Sequence, residues 1–420
     1  MKTNTTLRFF STTKVTTLFL ILALVCLPSC KSTPEAKGKL LSGEPITFDA
    51  GLPPVESHYT DFLENIRFIH LPLSSGIAME DYYSDFILTP DRIVLWSGTD
   101  QSMVKNHRVL LLMTHEGKMI KSIRDAEKDP FQPNDMVGID YNQDRDEFGL
   151  IDCMGMKLFR YSKDGQVIEN YPLTFRPCQI KTIDRDHYAI YWFNFAPVVD
   201  HYIGIFSVPE GKVVDTLLAY KEENKRGVMM TDPLFRDSRG AGFLTFQSDS
   251  ILMINKDSIV FGYQVSFGAN SLPTRYHEGF SVGLSGEDWT SRYNSLSKYA
   301  QLSASYFSED LQFITYSINK DLLYGMINLK NNKQAVISRD CFPGEYPRIF
   351  ALPGDQIVFN SDAASFISDA DSLKAARTPA EWAALIKKYP DYERILKTIN
   401  TEENPVFIIG EINEKIIFRK

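Results

Sequence analysis

Residues 158–171 read LFRYSKDGQVIENY: an apolar strand, a tight polar turn around Gly165, and a second apolar strand. The figure returns as VLLLMTHEGKMIKSI (109–123, around Gly117), IGIFSVPEGKVVDTL (203–217, around Gly211) and ILMINKDSIVFGY (251–263, around Lys256). Two weaker copies follow, YGMINLKNNKQAVI (324–337, around Asn332) and FIIGEINEKIIF (407–418, around Glu414). Gly117 and Gly165 stand 48 positions apart, Gly165 and Gly211 46, and Gly211 and Lys256 45. A fixed period of this length built from strands is the pattern of a β-propeller. The next two intervals are 76 and 82 positions, and subtracting insertions of about 30 and about 36 residues restores the period. Six copies predict an all-β, six-bladed β-propeller with a small helical insertion in the last blade.

The turns have a local cause. Gly117, Gly165 and Gly211 each follow an acid (Glu116, Asp164, Glu210), and glycine there supplies the positive φ that a tight hairpin needs. The flanking Val, Ile, Leu, Phe and Tyr suit sheets packed face to face. Each blade should open with an inner hairpin, such as SDFIL and RIVLWS, MVGIDY and EFGLIDC, or QIKTI and YAIYWF. An open ring leaves a sheet edge bare, and Ile66–Leu71 is the N-terminal candidate to close it beside Val406–Ile412. Thr378, Pro379 and Glu381 form an N-cap, N1 and N3 set, which places a helix in the last insertion, about residues 370–400.

Before the repeats the chain carries Lys2, Arg8 and Lys14, no acid, and the apolar run Leu18–Leu27. That run is too short for a mature membrane span and reads as a signal-peptide core. It ends in LPSC (27–30), which resembles a bacterial lipobox. The resemblance implies cleavage after Ser29, residues 1–29 being the signal, and lipid on Cys30, an anchor of several acyl chains. Residues 30–54 then read as a flexible tether and 55–420 as the propeller. Loss of residues 1–29 moves the net charge from −8 to −11, which argues against nucleic acid as a partner. Cys153, Cys178 and Cys341 lack metal-ligand spacing. They are expected as buried thiols, with a Cys153–Cys178 bridge as the alternative.

The opening ENIRFIHLPL (64–73), KLFRYSKDGQVI (157–168), SFGANSLP (266–273) and the terminal NPVFIIGEI (404–412) together resemble the six-bladed β-propeller lipoproteins of Bacteroidetes, which are similar to NHL-repeat propellers. A Gly-rich GxGPGE loop common in that family is replaced here by EKDPFQPND (127–135). The resemblance implies a propeller at the outer membrane, facing the periplasm or the cell surface.

No HExxH, GxSxG, P-loop or CxxC occurs, so no catalytic residue, metal or cofactor is assigned. Asp140, Asn142, Asp144 and Asp146 alternate like a calcium loop, but Arg145 and Ile151 stand where Gly and Glu are needed, and a hairpin turn is expected instead. Ligands reach a propeller where inner strands open on the central channel. The candidates there are Tyr83, Asp135, Arg176, Asp232 and Arg348, joined by Tyr276, His277 and Trp289 in the insertion 268–298. The functional expectation is a lipid-anchored envelope module that binds a glycan, a peptide or a partner protein without transforming it. The alternative is a propeller enzyme, a lactonase-like hydrolase or polysaccharide lyase, working at the channel.

Overall fold

A computed structural model describes residues 46–75, 85–97, 109–124, 133, 135–192, 201–219, 233–237, 239–244, 249–273, 295–308, 310–344, 349–352 and 355–418. These form six sheets. Blade one holds Asp85–Leu88, Ile93–Ser97, Val109–Met113 and Met119–Arg124. Blade two holds Met136–Asn142, Glu147–Asp152, Lys157–Ser162 and Val167–Pro172. Blade three holds Pro177–Thr182, His187–Trp192, His201–Ser207 and Lys212–Ala219. Each is an antiparallel meander of contiguous sequence.

The other three blades each take a strand from the N-terminal segment. Blade four (Leu234–Asp237, Gly240–Leu244, Ser250–Asn255, Ser258–Ser266) accepts Ile46–Thr47 as a parallel fifth strand. Blade five (Gln301–Phe307, Leu311–Ile318, Asp321–Asn328, Gln334–Ser338) accepts Pro54–Val55 in the same way. Blade six (Ile349–Leu352, Gln356–Ser361, Val406–Ile412) is completed by Leu63–His70, antiparallel to Val406–Ile412 with Ile69 opposite Phe407. The expected closure is therefore found, and the inner hairpins quoted from the sequence form those of blades one, two and three.

Two-residue side-chain alternation explains why the ring packs. In blade one Ile93, Leu95, Val109 and Leu111 face blade six, while Val94, Trp96, Leu110 and Leu112 face blade two. In blade three Tyr188, Ile190 and Trp192 face blade two, while Ala189 and Tyr191 face blade four. Further apolar clusters join blades four to five and five to six, so every neighbouring pair shares an apolar interface. Each buried Leu, Ile or Phe there contributes about 1.5–3 kcal/mol. Gly117, Gly165 and Gly211 have φ of +81°, +74° and +65°, as their turns require.

Three expectations need correction. The tether does not run free to Pro54. Phe48 is fully buried between blades four and five, edge-on to Phe267 and Tyr316, and Gln334 holds this segment through Thr47 O (2.6 Å) and Asp49 N (2.8 Å). Gly325 leaves the room, since a Cβ there would stand 2.6 Å from the Phe48 ring. Second, FIIGEINEKIIF is not a hairpin. After Ile412 the chain forms a helical turn, Glu414–Ile417, because the outer place in blade six is already filled by Leu63–His70, and Asn413 N bonds Phe62 O instead (2.9 Å).

Third, the last insertion begins earlier than residue 370 and holds three helices: α1 (Ala363–Ala376), α2 (Pro379–Lys388) and α3 (Pro390–Leu396). The capping box at Thr378 and Glu381 is present as expected. Phe366, Leu373, Leu385, Tyr392 and Ile395 dock these helices on the closing strand, where Tyr392 stacks on Phe68 at 4.5 Å. None of Cys153, Cys178 and Cys341 is disulfide-bonded; Cys153 and Cys341 are buried as expected, while Cys178 is only half-buried.

Candidate functional site

Three inner strands bring charged side chains together. Asp140 of blade two, Lys181 of blade three and Arg236 of blade four each follow an apolar residue near the end of their inner strand. The Asp140 carboxylate accepts from Thr182 N (2.7 Å) and lies 3.9 Å from Lys181 Nζ and 3.6 Å from Arg236 Nη1. Arg236 Nη1 also donates to Tyr141 O (2.6 Å). Asp140 and Lys181 are nearly buried, whereas the Arg236 side chain keeps 32% of its surface exposed. Its Nε and Nη2 have no protein partner among the described residues. Arg236 thus presents part of its guanidinium where a ligand can reach it, and a guanidinium fork suits carboxylate or phosphate oxygens.

The same end of the ring is laced by turn-to-turn bonds. Arg92 of blade one ion-pairs with Asp91 (2.6 Å) and Asp164 (3.1 Å) and donates to Lys163 O of blade two. The hydrogen bond from Arg92 holds the Asp91 carboxyl down to about 2, and Asp91 in return raises the guanidinium further. Arg145 reaches Arg185 O (2.7 Å) and Asp186 of blade three, while Asn142 Nδ2 donates to Asp184 O and Arg185 O. The Asp140–Asp146 run is thus a hairpin turn, as the sequence suggested, but Asp140 and Asn142 are buried rather than solvated and, with Arg145, make inter-blade bonds. Burial, then the bond to Asp146, raises the Tyr141 phenol above its ordinary range.

A hydroxyl, an imidazole and a carboxylate also line up near the closing strand. His58 Nδ1 lies 2.8 Å from Thr60 Oγ1, and its Nε2 faces both Asp369 oxygens at 3.1 Å. The arrangement looks like a nucleophile relay, but Thr60 is buried and its Oγ1 also receives Arg377 Nη2 (3.1 Å). His58 Nδ1 accepts from Thr60 N as an N-cap as well. The set is a strut from the turn Tyr59–Phe62 to α1. Among the described residues no three His, Cys, Asp or Glu side chains gather as metal ligands.

Of the residues proposed from sequence, Asp135 and Arg176 stand at the starts of the inner strands of blades two and three, Asp135 half-buried and Arg176 exposed. Asp135 N is held by Asp152 Oδ1 (3.0 Å), a structural bond. Cys30, Tyr83, Asp232, Tyr276, His277, Trp289 and Arg348 lie outside the described residues. The group at Asp140 was missed because it sits at strand ends rather than strand starts. Its sequence signal is a charge directly after an apolar residue, Ile139-Asp140, Ile180-Lys181 and Phe235-Arg236, at one place in three repeats.

No model of a known protein family and no curated protein matches the chain. Solved structures do. A protein described as exported, from Bacteroides fragilis, superposes with a TM-score of 0.67 at 14% identity over 87% of this chain and 99% of its own. A DUF4221-family member from Bacteroides vulgatus gives 0.48 at 12% over 83% and 98%. Virginiamycin B lyase from Staphylococcus aureus gives 0.38 at 9% over 83% and 100%, and bears no weight at that level. The first match establishes the fold, a six-bladed propeller of the kind solved from Bacteroides, in keeping with the resemblance drawn from the sequence.

Proposed function

We propose that this chain is an exported, lipid-anchored propeller of the cell envelope that binds an anion-bearing glycan or peptide at the channel without transforming it. The observation that carries the reading is the convergence of Asp140, Lys181 and Arg236 from three blades, with Arg236 accessible. Asp140 holds Arg236 in place, and its exposed guanidinium receives the ligand's carboxylate or phosphate. The leader and LPSC support the envelope location, as does the name of the Bacteroides fragilis neighbour. Lipid on Cys30 is the anchor in this reading, and Cys30→Ala releases the protein from membrane fractions.

The test is an array of acidic and neutral glycans and peptides probed with purified protein, followed by titration of the best ligand. Acidic ligands should lead, and Arg236→Ala should weaken binding about tenfold, the loss of a charge-assisted bond. Leading ligands that are neutral, or affinity untouched in Arg236→Ala, would refute the assignment. Turnover of a bound glycan would move the chain to the enzyme class.

A further inference from the structure

The helical insertion in blade six docks through its apolar side chains and leaves part of that apolar surface open. One face of each helix enters the core through Phe366, Leu373, Leu385 and Ile395. A second set, Ile367, Trp382, Ile386, Leu396 and Ile399, lines an open groove of about 620 Å³ between α1, α2 and α3, and all but Ile367 also pack on that core along their inner sides. All five are only half-buried. Their inner sides complete the packing of the helices, and the apolar surface they leave exposed is gathered into one concavity, which calls for an occupant.

The rim says which kind. Lys374, Lys387 and Lys397 border the groove together with Asp371 and Glu393. Lys397 is taken by Glu393 at 2.7 Å. That leaves Lys374 and Lys387 facing Asp371 alone, an excess of positive charge in a chain of net charge −8. The volume lies within the roughly 300–1,000 Å³ range of small-molecule sites. An apolar floor with a cationic lip fits a molecule that has an apolar body and one anionic end.

We propose that the groove binds an amphipathic anion, an acyl or aryl chain ending in a carboxylate or phosphate, with its charged end at Lys374 and Lys387 and its body against Trp382 and Ile386. The site shares no residue with the channel group, so the two assignments stand or fall separately. Trp382, already edge-on to Tyr392 at 6.2 Å, reports occupancy through its fluorescence.

The purified full chain is titrated with sodium dodecanoate below its micelle concentration, by calorimetry and tryptophan fluorescence. Dodecyl maltoside and dodecyltrimethylammonium serve as neutral and cationic probes with the same tail. Dodecanoate should bind saturably at one site, with the other two at least tenfold weaker. Trp382→Phe should abolish the fluorescence change. Lys374→Glu with Lys387→Glu should weaken dodecanoate at least tenfold at an unchanged melting temperature, and the double Gln variant serves if that temperature falls. Flotation with phosphatidylglycerol vesicles, with Cys30→Ala as the wild-type background so that no lipid anchor contributes, separates the sources of the same chemistry. Wild-type flotation lost in the double variant points to a phospholipid, and dodecanoate binding without flotation points to a free acid. Absence of saturable dodecanoate binding, equal binding of the maltoside, or affinity unchanged in the lysine variants overturns the proposal.

Discussion

Blades one to three and blades four to six are built from the same repeat, yet only the first three are self-sufficient. In the first three, each strand pairs with its neighbour in sequence, and the outer strands leave apolar side chains in solvent, Ile120 of blade one, Val167 and Ile168 of blade two and Val214 of blade three. In the last three, residues 46–70 cover the outer edge or complete the sheet. Local hairpins form from local signals, whereas an edge filled from a distant segment makes stability depend on contacts of long sequence separation.

The contrast is broken most severely at the closing strand. Phe68 is 2% exposed and packs on Tyr392, Phe366 and Tyr389, so Phe68→Ala should cost about 3–5 kcal/mol in denaturant unfolding. A chain begun at Leu71 should lose the cooperative transition. Phe48→Ala should cost nearly as much, about 3 kcal/mol, whereas Ile120→Ser on the bare edge of blade one should stay within about 0.5 kcal/mol. Equal effects at Phe48 and Ile120 would mean that the two halves are held alike.

A further small effect is a pH effect in the self-sufficient half. Arg92 holds Asp91 at about 2, below the roughly 3.9 of an unfolded chain. The folded state therefore gains from this carboxylate above about pH 4 and loses the gain as pH falls toward about 2. Asp91 is half exposed, so the gain is under about 1 kcal/mol. Acid titration of stability should be flatter in Asp91→Asn over that window; identical curves would rule the pair out as a contributor.

Much of the ring was legible because its signals are short-range. A glycine after an acid announces Gly117, Gly165 and Gly211, and Thr378-Pro379 with Glu381 announces a helix start. The strands Ile46–Thr47 and Pro54–Val55 were not legible, since two residues show no period and their partners lie in blades four and five. The false sixth hairpin has the same root: EKIIF has strand composition, but Leu63–His70 occupies the place it would take. Asp140, Lys181 and Arg236 look like ordinary polar positions until ring geometry sets three strand ends side by side.

The pairing of the closing strand also sets an order of events. Leu71 O is held by Asn404 Nδ2, a partner 333 positions later, and the strand before it has its whole ladder with Val406–Ile412. A chain that emerges N-terminus first therefore holds its closing piece from the start and can use it only at the end. Until Ile412 has been delivered, blade six presents a raw edge and the ring stays open. With the export proposed above, that delay keeps the chain threadable until its last blade has crossed, when it shuts on a strand it has carried all along.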